Sequence, residues 1–273
     1  MSARTRHIGE IKDRIRGVLL GLAAGDRNGG PIRMAVRLAE SLAERRRFDP
    51  KDILARYLKW WRDGAFDTGP TTAAVPSLID GGMDAHEAVE RVHDQAGGMT
   101  AGCNPAHRCA PLAMARSLSD DELAGRALRE ARLTHQHPLA GDVAAAVVVL
   151  CRALIRGKPW NEALVLARVG RLRQTIEALD GNNPSPLSAG GFAPEVLRAA
   201  CHSVARHDSF TDTLFASHSF AGPANYCPVL VGAIAGARWG ATAIPPKMLP
   251  ECELMIRVWN AAEMLANEWE DAG

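Results

Sequence analysis

Glycine recurs at every fourth residue near both ends of this 273-residue chain: Gly17, Gly21 and Gly25 in one segment, Gly232, Gly236 and Gly240 in another. Residues four apart share one face of an α-helix, so each triplet makes a stripe that carries no side chain. Each glycine in a helix interior costs about 1 kcal/mol relative to alanine. Three at that spacing are expected where another backbone has to come close. The simplest arrangement is two tightly packed central helices, which face each other if the stripes are partners. Asp26, at the end of the first segment, would then lie near Gly222 to Pro228, which leads into the second.

The remainder reads as helix after helix. Ala and Leu far outnumber Val and Ile, and unbranched side chains lose little rotamer freedom in a helix. Apolar periodicity places helices near 9–25, 31–46, 50–63, 71–80, 84–95, 108–116, 119–133, 138–156, 160–170, 172–179, 192–205, 209–217, 227–240 and 246–270. An all-α fold and a single domain over 1–273 are expected. A short strand-like run, Ala146 to Val149, sits inside a helical pattern, and Asp180 to Gly191 reads as one extended loop or lid.

With 32 Lys and Arg against 31 Asp and Glu, the net charge of +1 gives no global field toward nucleic acid or an anionic membrane. An anionic ligand must therefore be met locally. The run Arg45-Arg46-Arg47 offers such a patch or, more simply, closes a helix and complements its dipole. Six cysteines (Cys103, Cys109, Cys151, Cys201, Cys227 and Cys252) form no Cys-x-x-Cys pair, which suggests reduced thiols and a cytoplasmic location. The segment from Arg14 to Ala24 imitates a signal peptide, but its apolar run is short and ends on Gly25-Asp26. No run is expected to reach the roughly 18 apolar residues of a membrane-spanning helix.

Several motifs follow one another in order. The glycine helix ending in Gly25-Asp26 precedes Met34-Ala-Val-Arg-Leu-Ala-Glu-Ser-Leu42. Thr68-Gly-Pro-Thr-Thr72 comes after a Trp-containing helix, then Gly102-Cys-Asn-Pro-Ala-His-Arg-Cys-Ala-Pro-Leu112, Leu133-Thr-His135, and Gly232 to Gly240 ahead of Ile244-Pro245. In this order and spacing the chain resembles the ADP-ribosylglycohydrolases over Gly17 to Pro245. That resemblance implies a compact orthogonal bundle of helices and a ligand containing ADP-ribose or derived from NAD. It also implies two magnesium ions held between an early Thr-Asp-Asp-Thr segment and a late Asp-x-Asp-Thr segment.

Placing Met34 on the family's methionine puts Gly29-Gly30-Pro31-Ile32 where the first acidic segment belongs, and the late glycines put Pro223-Ala224-Asn225-Tyr226 where the second belongs. Neither keeps an Asp, and the loop that often supplies a catalytic glutamate after Asp26 is too short. Magnesium needs oxygen ligands, chiefly carboxylates, so no metal site and no cofactor are expected.

Without a metal, an anionic diphosphate can be held by backbone amides at a helix start. Gly29-Gly30-Pro31, with Asn28 and Arg33 nearby, reads either as such a cradle or as an ordinary Gly-Pro helix start. Cleaving a ribosyl bond passes through an oxocarbenium-like state and calls for a carboxylate and an acid. Asp26 and Asp67 are candidates for the carboxylate; otherwise Asp26 ties helix ends together and Asp67 caps a helix. His107 is a candidate acid or ribose contact, or a histidine satisfied by its own loop, whereas His135 reads as a core residue. Thr68, Gly69, Cys103, Asn104 and Arg108 are expected to contact substrate, and Asn225 and Tyr226 to hold ribose hydroxyls in place of metal-bound water. Trp60 and Trp61 divide between core and surface, or stack on a base.

Three functional readings follow. The first is a metal-independent glycosidase acting on a ribosyl bond of an ADP-ribosylated or NAD-derived substrate. The second is an inactive relative that binds ADP-ribose or a protein partner, and the third a scaffold with a closed cleft. No oligomeric state is specified.

Overall fold

A computed structural model describes residues 3–27, 29–180 and 186–270. In chain order the helices are α1 (Ala3–Asp26), α2 (Gly30–Arg45), α3 (Pro50–Arg62), α4 (Pro70–Asp80), α5 (Ala85–Gln95), α6 (Asn104–Arg108), α7 (Pro111–Met114) and α8 (Asp120–Ala131). They continue as α9 (Pro138–Ile155), α10 (Trp160–Arg168), α11 (Arg173–Ala178), α12 (Ala193–Arg206), α13 (Phe210–Ser217), α14 (Tyr226–Trp239) and α15 (Leu254–Asn267). Among the described residues no strand forms, and one isolated antiparallel bridge joins Gly102 to Phe192.

The two glycine stripes are partners. α1 and α14 run antiparallel with their backbones in contact: a β-carbon added at Gly21 would lie 2.1 Å from the Gly232 carbonyl oxygen, one at Gly236 1.8 Å from that of Gly17, and one at Gly25 2.1 Å from that of Pro228. This contact delivers Asp26, the last residue of α1, beside the turn that opens α14.

Sequence punctuation sets most helix ends. Pro31, Pro50, Pro70, Pro138 and Pro194 occupy first-turn positions, where a missing N–H and a fixed φ fit the helix. Asp49 caps α3 by accepting from Asp52 N–H, and Ser119 with Glu122 forms a capping box on α8. The Arg45-Arg46-Arg47 run closes α2: Arg46 is left-handed, Arg45 pairs with Asp52 and Arg47 with Asp49.

Three expectations need correction. The helix expected over 108–116 is two short helices, because Pro111 lacks the amide proton that would carry the hydrogen-bond ladder onward. Helix is interrupted between 246 and 253, where Pro246 and Pro250 leave a 3-10 turn at Pro246–Met248 before α15 begins. Third, α9 has 18 residues and is long and apolar enough to cross a membrane, although no such run was expected. Asp142 and Arg152 punctuate it in the sequence, yet both are paired inside the protein. Asp142 accepts from Leu172 N–H at 2.8 Å, and Arg152 donates to the Ala113 carbonyl at 2.7 Å and to Asp120. α9 lies nearly wholly buried at the centre of the main hydrophobic cluster and contains the strand-like run 146–149 as helix.

The main cluster reaches from Ile15 to Trp269, while Val75, Ala88, Val89 and Val92 form a separate small one between α4 and α5. The α4–α5 hairpin, which forms one wall of the site described below, thus carries its own apolar centre.

Alanine at Gly21 or Gly232 must force the two backbones apart and is expected to destabilise the protein by more than about 3 kcal/mol. Gly125, exposed in α8 with nothing within 4 Å of an added β-carbon, is the control: Gly125→Ala is expected to stabilise by up to about 1 kcal/mol. Urea unfolding of the three variants checks the contrast.

Candidate active site

Where the first acidic segment would be expected, the chain's own carboxylates meet the start of α2. Asp26 Oδ2 accepts from Ile32 N–H at 2.8 Å, and Asp67 Oδ2 accepts from Gly30 N–H at 3.1 Å. Gly29 is wedged between them, since a β-carbon there would lie 2.5 Å from Asp67 Oδ2 and 2.6 Å from Asp26 Oδ1. At Gly30 a β-carbon would lie 2.1 Å from the Asp67 carbonyl oxygen. The glycines are therefore needed for close approach, but to an internal loop rather than to a ligand. The expected phosphate cradle at Gly29-Gly30-Pro31 is already filled by carboxylate.

Asp26 is 3% exposed. Burial pushes its carboxyl up to about 7, further raised by neighbouring Asp67 and opposed by the Ile32 and Gly29 amides and by Arg33. Arg33 lies with its guanidinium 4.9 Å from the Phe66 ring and is not on the cleft wall, so its charge acts on Asp26 and not on a ligand. Asn28 falls outside the described residues.

The open space lies on the other side of Asp67, a cleft of about 320 Å³. Asp67 lines it from a left-handed backbone position (φ 51°), followed by Thr68, Gly69 (φ 71°) and the first turn of α4. Unlike α2, α4 starts uncapped: Gly69 offers no side chain, and no acidic residue lies in the first turn. Pro70, Thr71 and Thr72 all line the cleft. Thr72 is 3% exposed, and its hydroxyl has no hydrogen-bond partner among the described residues. The helix start that can receive an external anion is thus that of α4.

The opposite wall comes from α6, the Gly191 turn and the start of α14. Cys103 and Asn104 line the cleft; burial raises the Cys103 thiol well above its ordinary range, so it is no thiolate. Asn104 donates to the Thr68 carbonyl at 3.4 Å and accepts from Arg108 at 2.8 Å. Arg108 does not reach the cleft, contrary to expectation. It is fully buried, donates to Glu130 at 2.7 Å, and shares that carboxylate with the Tyr57 hydroxyl. Its role is to fix Asn104, and through Asn104 the Asp67 loop.

His107 lines the cleft but is a poor acid. Its Nε2–H donates to the Tyr226 carbonyl at 2.8 Å, and burial, partly offset by that bond, lowers its pKa to about 4. His135, expected to be a core residue, also reaches the cleft wall; burial, then the charge of Arg108, keeps it neutral. Tyr226 lines the cleft and stacks near His107, with ring centroids 6.4 Å apart. Burial raises its phenol pKa, with Cys103 and Asp67 adding to the effect, so it remains a donor. Asn225 is off the cleft wall, in the left-handed conformation (φ 52°) that starts α14 and that asparagine tolerates. Trp60 is buried beneath Arg37, away from the cleft.

Sequence reading missed Thr71, Thr72 and Met99 on this wall. The pair Gly69-Pro70, a second Gly-Pro helix start, was the available signal.

The magnesium pair implied by the family resemblance does not fit these residues. Among the described residues no three His, Cys, Asp or Glu side chains converge. One of the two neighbouring carboxyls titrates near neutrality, and both already bond to α2 amides.

The raised Asp26 pKa has a definite sign. A carboxyl whose folded value exceeds its unfolded 3.8 contributes stability fully below that pH and loses it as pH rises through about 7. The stability of Asp26→Asn relative to the parent is therefore expected to rise from about pH 4 to 7, by an amount on the order of 4 kcal/mol, and to level off above. Urea titrations across that range measure the slope.

Comparison with known proteins agrees with this architecture. The ADP-ribosylglycohydrolase family model matches residues 31–273. The ADP-ribosyl-[dinitrogen reductase] glycohydrolase of Rhodospirillum rubrum is 23% identical, covering 90% of this chain and 92% of its own. The ADP-ribosylarginine hydrolase of Pseudomonas putida is 24% identical, covering 93% and 78%. A solved structure, an ADP-ribosylglycohydrolase-related protein complex, superposes with a TM-score of 0.79 at 27% identity over 95% of this chain and 99% of that one. With its paired glycine helices and a match over nearly its whole length, the chain belongs to the ADP-ribosylglycohydrolase family.

Proposed function

We propose that the cleft binds an ADP-ribosyl group and hydrolyses its ribosyl bond without a dimagnesium centre. The observation that carries this reading is the pairing, in one cleft, of Asp67 with the uncapped start of α4 and the unpartnered Thr72 hydroxyl. A diphosphate at α4 would meet amide donors and that hydroxyl. Asp67 has one carboxylate oxygen bonded to Gly30 N–H, which fixes its orientation while it faces the cleft.

In this scheme Asp67 takes a proton from water, the water oxygen bonds to the anomeric carbon, and the ribosyl C–N bond breaks with its electron pair leaving on nitrogen. The proton then passes from Asp67 to solvent. His107 and His135 are held neutral and Tyr226 keeps its proton, so the wall provides no strong acid. A leaving group that departs without needing a proton suits such a site, and a pyridinium, released as neutral nicotinamide, meets that requirement. The reading thus favours an NAD-type substrate over a serine- or arginine-linked one.

One observation favours a second reading, binding without turnover: among the described residues Asp67 is the sole carboxylate lining the cleft. The two readings separate in one set of assays. ADP-ribose binding by calorimetry, and cleavage of NAD and of ADP-ribosylated arginine and serine, are followed with magnesium and with chelator. Hydrolysis is expected in both conditions. Asp67→Asn is expected to lower turnover by about 10²–10⁴-fold with binding retained, and Thr72→Val to weaken ADP-ribose binding severalfold, about one hydrogen bond's worth. Binding without cleavage selects the second reading; neither binding nor cleavage removes both.

A further inference from the structure

At the end of α1, between it, the end of α13 and the Lys247 turn, lies a second cavity of about 410 Å³. Arg27, His218 and Lys247 line it together with Ala24, Leu214, Met248, Leu249 and Pro250; among the described residues no Asp or Glu does. Arg27 holds a left-handed backbone (φ 55°), a conformation that costs an ordinary side chain energy and that glycine adopts freely. Its guanidinium is held in place by a base and not by a carboxylate. His218 donates Nδ1–H to the Leu214 carbonyl at 2.8 Å, so Nε2 carries the lone pair that accepts from Arg27 Nη2 at 2.6 Å. Arg27 is thereby oriented with no ion pair to a carboxylate among the described residues, while Lys247 projects from the 3-10 turn Pro246–Met248 on the same wall.

We propose that this cavity is a binding site for a small organic anion, a phosphate monoester or a carboxylate carried on an apolar body. A guanidinium fork with an ammonium beside it matches an oxyanion. Leu214, Met248, Leu249 and Pro250 supply an apolar wall for the body of the ligand. The site is separate from the cleft that carries the proposed hydrolysis and does not depend on that reading, although Arg27 directly follows Asp26 in the chain.

Calorimetry with phenyl phosphate, benzoate and inorganic phosphate on the full chain tests the proposal. Phenyl phosphate or benzoate is expected to bind more tightly than inorganic phosphate, and which of the two is tighter identifies the headgroup. Lys247→Gln, on an exposed turn, and Arg27→Gly, which suits the left-handed backbone, are each expected to weaken that binding about tenfold. Thr72→Val in the cleft is expected to leave it unchanged. Absence of binding by all three probes, or binding that ignores both Lys247→Gln and Arg27→Gly, overturns the proposal. So does binding that responds to Thr72→Val, because the anion would then be in the cleft.

Discussion

The carbonyl oxygens of Gly17 and Gly21 rest against the α-carbons of Gly236 and Gly232, and no side chain fits between them. The rest of the molecule depends on this backbone contact. It sets the separation of α1 and α14, and so where Asp26 and the Tyr226 turn emerge, since each ends its helix on the same side. α2 begins beside Asp26, and the Asp67 loop closes over the start of α2 through Gly30. The position of Asp67 thus traces back, through four elements in contact, to a stripe of missing β-carbons.

Two helix starts built from the same Gly-Pro pair have been put to different uses. Gly30-Pro31 receives the protein's own carboxylates, and Gly69-Pro70 is left uncapped beside an unsatisfied hydroxyl. A helix start is a site of positive potential whichever anion fills it. What separates the two is whether an aspartate lies within reach. Asp67 serves α2 because its left-handed backbone turns its side chain back across Gly29, and the same turn leaves α4 open to the cleft.

This difference also marks how far the sequence could be read. Periodicity and proline placement give nearly every helix, because they depend on neighbours in the chain, and the paired glycine stripes give the central contact. The errors arise where partners are distant in sequence. Arg108 looks like a ligand contact until Glu130 and Tyr57 are seen to enclose it, and Arg33 looks like part of a cradle until Phe66 is seen beneath it. His107 and His135 both line the cleft and both stay neutral for the same reason: burial, invisible in the motif, lowers the pKa of each imidazole. The apolar sequence of α9 is interrupted by an Asp and an Arg, and both are paired inside the protein by distant partners.

The partners in the central contact lie at opposite ends of the chain. α1 leaves the ribosome long before α14, with a face that carries no side chains and an apolar surface on either side of it. Contacts between distant segments form slowly, because the intervening chain must first be ordered. During synthesis α1 therefore waits without a partner, and the interval before α14 appears is when the nascent chain most needs protection from aggregation.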